Sequence, residues 1–148
     1  MVIMQTYMYL DVNNFPFLYN CISCRTCCSW QLWSVLRALE YSHLSTHHQA
    51  ALCCDYASQL ESLGLWHWAV FVLLHIGGGD DDASATQREL SVRQLLERHL
   101  VLDSDKEAKQ REAFLQERLN VPAEWIHQAK VVMLCYKRWY GNFVKSLY

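Results

Sequence analysis

The chain has 148 residues, the size of one domain, and its 52% apolar content is ample for a core. A net charge of -2 and an isoelectric point near 6.4 argue against a nucleic-acid-binding surface. Seven cysteines, an odd number, argue against a complete disulfide framework, and no cationic segment precedes an apolar run near the start. A reducing, intracellular compartment is therefore expected.

Residues 1–28 show neither helical nor strand spacing. They are rich in tyrosine, phenylalanine, methionine and cysteine, and their only charged residues are Asp11 and Arg25. Three interpretations stay open: an apolar tail folded onto the domain, a disordered arm, or sequence foreign to the parent protein. The segment is expected to be poorly ordered or loosely packed.

Helical spacing begins at Ser29. The first helix is predicted to bury a face that has four aliphatic members, Leu32, Val35, Leu36 and Leu39. A second helix is predicted to start at Ser45 or Thr46, either of which can cap its first turn. It is expected to end near Leu63, because Gly64 suits the left-handed position that follows a helix.

The stretch from Leu65 to Ile76 is apolar except for His67 and His75. It has no polar face at any regular spacing, so other elements must cover it on all sides. It is about a dozen residues long, and a bilayer crossing needs roughly twenty, so a buried central helix is predicted. The expected core residues are Leu60, Leu65, Trp66, Val70, Phe71, Leu73, Leu74, Leu95, Leu96, Trp125 and Ile126.

The run of three glycines and three aspartates at 77–82 separates this helix from the fourth. Because such residues cannot form a core face, a mobile, solvated loop is predicted. Thr86 and Glu89 have the spacing of a capping box and predict the start of the fourth helix. Its apolar face is expected to comprise Leu90, Leu95, Leu96 and Leu100.

Two further helices are predicted after residue 103. Ser104 and Glu107 repeat the capping-box spacing before a charged fifth helix, which Asn120 can close. Pro122 suits the first turn of a sixth helix expected to reach Tyr140. About six antiparallel helices with short connections fit an irregular α-helical solenoid as well as a bundle, so the predicted class is all-α.

Four cysteines, Cys21, Cys24, Cys27 and Cys28, form the sharpest candidate for a metal site. Their spacing matches one portion of an iron–sulfur run, but the fourth ligand at the expected spacing and a second knuckle are missing. Free, partly buried thiols are the favoured interpretation. The histidines lack carboxylate partners at an obvious spacing, and no catalytic motif is present, so neither an enzyme nor a cofactor is expected.

Three stretches together resemble one known family. They read SWQLWSVLRALEYSHLSTHHQAALCCDYASQLESLGLWHWAVFVLLHI, then RELSVRQLLERHL, then REAFLQERLNVPAEWIHQAK. They resemble, in the family's order, the helical scaffold nucleoporins released from the C-terminal half of the nucleoporin 98-96 precursor. The quoted stretches lie between Ser29 and Lys130. Domain boundaries are expected at 1–28 (outside the family), 29–133 (solenoid fragment) and 134–148 (divergent tail).

The resemblance implies a coat-scaffold-like solenoid in the Y-shaped complex of the nuclear pore, at the nuclear envelope. It implies a role in transport of mRNA and protein through helix-face contacts with other Y-complex nucleoporins, with no transmembrane segment and no direct nucleic-acid binding. The β-propeller partner is not expected to bind, because its binding segment is absent. The unfamiliar ends suggest a truncated isoform or a faulty gene model, and hence an association-prone chain that joins the pore weakly. The alternatives are a vesicle-coat scaffold and a small metal- or redox-binding protein.

Overall fold

The computed structural model describes residues 25–41, 44–77, 82–100 and 106–147. Within these ranges there is no strand, and the chain forms six α-helices: α1 (Arg25–Ala38), α2 (Thr46–Ser62), α3 (Trp66–Leu73), α4 (Asp82–His99), α5 (Lys106–Ala113) and α6 (Ala123–Leu147). Helix α5 continues directly into one π-helical turn, Phe114–Arg118. The prediction of an all-α fold is confirmed.

The helices pack mainly on their neighbours along the chain. Helix α1 packs on α2, α2 on α3, and α3 on α4, while α6 returns to pack on α4. Neighbour-to-neighbour packing of this kind is typical of solenoids, in which each layer covers the one before it.

Helix α3 lies in the middle of the hydrophobic core that the described residues form. Trp66 and every residue from Ala69 to Leu73 are buried, and Ile76 in the turn after the helix is also buried. The helix ends at Leu73, so it is shorter than the apolar stretch that predicted it. The core continues into α1, α2, α4 and α6 through Cys27, Trp30, Trp33, Cys53, Tyr56, Leu60, Val92, Leu95, Leu96 and Ile126.

The residues predicted for the core fall into three groups by their degree of burial. Leu74 and Trp125 are partly buried and pack against the core, and Leu65, at the N-terminus of α3, is partly exposed. The others are buried, namely Leu60, Trp66, Val70, Phe71, Leu73, Leu95, Leu96 and Ile126.

The connection between α2 and α3 follows from its glycine. Gly64 has φ +78° and donates its N–H to the carbonyl of Glu61, while the N–H of Leu65 reaches back to the carbonyl of Leu60. These two bonds form a Schellman motif, which satisfies the last carbonyls of α2 as the sequence predicted. At the other end of α2, the backbone N–H of His48 donates to the hydroxyl of Ser45, so the predicted cap is also confirmed.

Several local predictions are wrong. Helix α1 is turned away from its aliphatic residues: Trp30 and Trp33 are buried, whereas Leu32 is 61% and Leu39 59% exposed. Helix α4 begins at Asp82, so Thr86 lies inside it, where its hydroxyl donates to the carbonyl of Asp82. An aspartate in the first turn favours that earlier start, because it faces the positive end of the helix dipole.

Two further details differ from expectation in the second half of the chain. Leu90 is exposed on α4, and Val92 takes the buried position instead. Helix α6 runs to Leu147, beyond the expected end at Tyr140. Residues 78–81 of the loop predicted at 77–82, and the proposed cap at Ser104, lie outside the described residues, whereas Asp82 belongs to α4 and not to a loop.

Because α3 is covered on all sides, truncation of one of its large side chains should be costly. The Phe71 ring contacts those of Trp30, Trp68 and His75. Phe71→Ala is expected to lower the free energy of unfolding by about 3–5 kcal/mol, as for other buried phenylalanines. The measurement is urea unfolding followed by circular dichroism, with Leu90→Ala at an exposed position as the control, expected within about 0.5 kcal/mol of the parent. Equal, small effects of both substitutions would contradict the buried position of α3.

Candidate functional site

The cysteines proposed as metal ligands do not converge where the structure describes them. Cys21 and Cys24 lie outside the described residues. Cys27 is buried, and its thiol donates to the hydroxyl of Tyr56 at 3.5 Å, whereas Cys28 is exposed. In the described part of the chain no group of three or more potential metal ligands comes together.

A different cysteine, Cys53, lies in the core, and its neighbour Cys54 is partly buried against it. Cys53 on α2 is fully buried, and this burial raises the pKa of its thiol to about 11. Burial also raises the pKa of the neighbouring Cys54 thiol. Since the thiolate is the reactive form, both side chains serve as packing groups at neutral pH.

Arg37 links α1 to the C-terminal end of α3 through hydrogen bonds. The guanidinium of Arg37 donates to the carbonyl of His75 at 3.0 Å and to that of Gly77 at 3.5 Å. It also lies over the ring of Trp33, 5.2 Å from the centroid. The carbonyls at a helix C-terminus lack helical partners and carry partial negative charge, so a cation there is favourable.

The turn held by Arg37 tolerates no larger residue at Gly77. This glycine has φ +74°, and a Cβ added to it would lie 2.7 Å from the Cβ of Ser84. The close approach brings the end of α3 against the first turn of α4. Arg37 and Gly77 therefore fix the relative positions of α1, α3 and α4 at one point.

Two histidines at this core are held in the neutral form. His75 Nδ1 is 2.8 Å from the carbonyl of Phe71, and its ring lies against those of Phe71 and Trp30. Burial lowers the pKa of His75, and the charge of Arg37 lowers it further. Burial likewise lowers the pKa of His67, whose Nδ1 is buried without a hydrogen-bond partner. These are the surroundings of core-edge histidines rather than of catalytic bases.

An ion-pair cluster joins α2 to the C-terminus of α4. Arg98 donates to both carboxylate oxygens of Glu61, at 2.9 and 3.0 Å, and His99 Nε2 lies 2.7 Å from one of them. The hydrogen bonds from Arg98 lower the pKa of Glu61 below its usual value. The His99 ring stacks on Trp66 at 5.8 Å, so the polar cluster also covers the start of α3.

The π-helical turn positions an aromatic side chain over α3. Phe114 begins this turn, and its ring lies 4.9 Å from that of Trp68 and 5.7 Å from that of His67. On the adjacent turn, Glu112 accepts from Lys130 Nζ at 2.6 Å, which ties α5 to α6. Single π-turns of this kind often adjust side-chain positions where a regular helix would not fit.

Two apolar surfaces remain uncovered by the described residues. The first, here called the α1 outer face, consists of Leu32, Val35, Leu36 and Leu39, all between 37% and 61% exposed. The second lies on the part of α6 after Lys130, where Val131 and Leu134, three residues apart on one side of the helix, are 56% and 53% exposed. Large exposed apolar surfaces of this kind mark interaction sites in proteins.

Comparison with known proteins gives a consistent family. The family model described as Nuclear protein 96 matches residues 10–133, a range that includes part of the segment before Ser29. The chain is 43% identical over 104 residues to the nuclear pore complex protein Nup98-Nup96 of Drosophila melanogaster, covering 70% of this chain and 5% of that protein.

Two further relatives show how widely the family is distributed. Nup98-Nup96 of Dictyostelium discoideum is 31% identical over 117 residues, 78% of this chain and 5% of that protein. NUP96 of Arabidopsis thaliana is 34% identical over 92 residues, 62% of this chain and 8% of that protein. The chain thus spans less than a tenth of the length of these relatives. No helix among the described residues is long and apolar enough to cross a membrane.

The lowered histidine pKa values predict a loss of stability in mild acid. His67 and His75 resist protonation in the fold but not in the unfolded chain, where the pKa is about 6.5. Their contribution is therefore complete above that value and is lost as pH falls from it toward the folded pKa. The double variant His67→Gln with His75→Gln should show a shallower fall of unfolding free energy between about pH 7.5 and pH 5.5. Urea titrations at several pH values measure that slope.

The matched control for this slope is His127→Gln, because His127 is exposed on α6. It should keep the pH dependence of the parent. A slope that is the same in the double variant and in the parent would contradict the neutral, partly buried state of His67 and His75.

Thiol alkylation should separate the cysteines by exposure and pKa. Cys28 and Cys135 are exposed and should react with iodoacetamide in the native protein, whereas Cys53 should react on the order of a hundredfold more slowly. Mass spectrometry of the labelled peptides gives the rates, and labelling in urea provides the control in which all three react. Native labelling of Cys53 as fast as that of Cys135 would show that α2 does not bury it.

Proposed function

The chain belongs to the nuclear protein 96 family of nucleoporins, and we propose that it acts as a helical segment of the Y-complex scaffold of the nuclear pore. The family has a structural role in the nuclear pore complex, which lies in the nuclear envelope. On this proposal the chain supports passage of mRNA and protein by holding other subunits in place. It needs no cofactor and carries out no chemistry of its own.

The observation that carries the proposal is the pair of uncovered apolar surfaces on a stack with one continuous core. The α1 outer face is exposed while Trp30 and Trp33, on the same helix, are buried in that core. Helix α1 therefore has apolar residues on two sides, one of which is satisfied within the chain. In a solenoid the second side is where the next layer or another subunit packs.

Further support comes from the state of the ionisable groups. Burial lowers the pKa of His67 in α3 and of His75 just after it. The carboxylate of Glu61 accepts hydrogen bonds from Arg98 and His99. Each of these groups has a packing or tethering partner among the described residues. A scaffold uses such groups for stability, which agrees with a non-enzymatic role.

The alternative of a vesicle-coat scaffold uses the same architecture. The family match and the nuclear pore proteins among the relatives favour the pore. No observation on the described cysteines favours the metal- or redox-binding alternative, since Cys27 is engaged by Tyr56 and Cys53 is buried.

Charges placed on the α1 outer face should weaken association with pore subunits. The variant carries Leu32→Glu and Leu39→Glu, which introduce two carboxylates at side chains that are 61% and 59% exposed. Truncating or charging an interface anchor costs about 1–2 kcal/mol or more, so labelling of Y-complex subunits should fall about tenfold. The measurement is proximity labelling in cells that express the tagged full chain.

The matched control carries Leu63→Glu and Leu90→Glu, which add the same charge at side chains that are 61% and 52% exposed, one just after α2 and one on α4. It should label Y-complex subunits as the parent does, and both variants should melt at the parent temperature. Equal labelling by the face variant and the parent would contradict the proposed role of this face, and a label pattern rich in vesicle-coat subunits would favour the alternative scaffold.

A further inference from the structure

The α1 outer face has the same spacing when it is read from either end of the helix. Its members, Leu32, Val35, Leu36 and Leu39, follow one another after three, one and three positions. This spacing places them on one side of α1, along about 10 Å of the helix axis. An identical helix that runs in the opposite direction presents the same pattern, so the face is complementary to a copy of itself.

The α1 outer face also carries no charge. Between Arg25 and Glu40, the only charged residue of α1 is Arg37. Its guanidinium donates to the carbonyls of His75 and Gly77, on the side of α1 that faces the core. Two copies of the outer face can therefore meet across a two-fold axis without bringing like charges together.

The turn after α1 adds an aromatic side chain beside this face. Glu40 has φ +61° and donates its N–H to the carbonyl of Arg37. The N–H of Tyr41 donates to the carbonyl of Leu36. These two bonds form a Schellman motif, in which the residues at the positions of Tyr41 and Leu36 commonly pack together. Tyr41 is 72% exposed, so its ring enlarges the surface that a second molecule can cover.

We propose that two copies of the free chain associate through the α1 outer face, with their α1 helices antiparallel about a two-fold axis. Leu32 of each copy lies opposite Leu39 of the other, and the axis passes between Val35 and Leu36. Such a contact is isologous, because both copies use the same surface. The proposal goes beyond the scaffold role, since it assigns an occupant to this face when no pore subunit is bound.

The symmetric spacing favours a second copy over a different protein as the occupant of the free face. An isologous contact requires a self-complementary surface, whereas a contact with a different protein does not. The face is small, because a standard interface uses about 20–30 residues on each side. The dimer should therefore be weak, with a Kd on the order of 10–100 μM. A weak dimer of this kind can exchange for a pore subunit that binds the same face.

The test is sedimentation velocity of the purified full chain across the micromolar concentration range. The parent should shift from monomer to dimer as its concentration rises, and added salt should leave this shift unchanged because the contact is uncharged. The variant with Leu32→Glu and Leu39→Glu should have a Kd about tenfold higher or more. In the antiparallel arrangement, this variant places one carboxylate opposite another at both ends of the contact.

A matched variant differs from this one only in the sign of one charge. Leu32→Glu with Leu39→Lys brings opposite charges together at both ends, because positions 32 and 39 of the two copies face each other. It should dimerise about tenfold more tightly than the like-charge variant, and salt should remove the difference. The control with Leu63→Glu and Leu90→Glu adds two carboxylates outside the face and should dimerise as the parent does. Circular dichroism checks that each variant keeps the parent helicity.

Three outcomes would overturn the proposal. The first is a parent that stays monomeric throughout the range. The second is self-association that Leu32→Glu with Leu39→Glu leaves unchanged, which would assign it to another surface. The third is equal dissociation of the like-charge and opposite-charge variants, which would mean that the two helices are not antiparallel. No pore subunit is present in these measurements, so a monomeric parent whose face variant still loses labelling in cells would reject the dimer and leave the scaffold proposal standing.

Discussion

Burial of α3 on all its sides is the constraint on which the rest of the fold depends. Trp66 and the residues from Ala69 to Leu73 have no solvent-facing side, so neighbours must be present in every direction. Burial of each large apolar side chain contributes about 1.5–3 kcal/mol. Because these side chains point in all directions, one neighbouring helix cannot cover them all. Helices α2 and α4 flank it directly, α1 contacts Phe71 in its C-terminal half, and α6 packs on α4. The order of the stack follows from this requirement.

Polar contacts then fix where each neighbour sits, because apolar packing alone is not directional. Arg37 holds α1 to the C-terminal carbonyls of α3, and Gly77 brings that end against Ser84 of α4. Glu61, through Arg98 and His99, joins α2 to the far end of α4. The three helices around α3 are therefore tied at both of its ends. The same arrangement leaves the side chains of the α1 outer face exposed among the described residues.

The sequence was sufficient where a single local signal had no competitor. The unbroken apolar run predicted α3, Gly64 predicted the end of α2, and Ser45 predicted its cap. It was insufficient for α1, where two apolar stripes compete. Leu32 and Leu39 belong to one and Trp30 and Trp33 to the other, and only the tertiary contacts of the tryptophans decide which is buried.

The contacts that tie the helices together could not be predicted for a different physical reason. Arg37 and Gly77 are 40 residues apart in the sequence, and Glu61 and Arg98 are 37 residues apart. Contacts between residues so far apart leave no periodic signal in a single sequence. The start of α4 was predicted too late because the spacing of Thr86 and Glu89 resembles a cap, although Thr86 bonds to Asp82 within the helix. The family resemblance, in contrast, rested on long specific phrases and agrees with the match over residues 10–133.

Amide hydrogen exchange on the full chain tests the central position of α3 most directly. The amides of Ala69 to Leu73 should exchange only through global unfolding, so their protection should equal the free energy of unfolding, about 5–15 kcal/mol for a domain. Helix α5, from Lys106 to Ala113, has no buried residue and should exchange through local opening at much lower cost. Protection in α3 as low as in α5 would contradict the account, because it would mean that the stack does not depend on the helix at its centre.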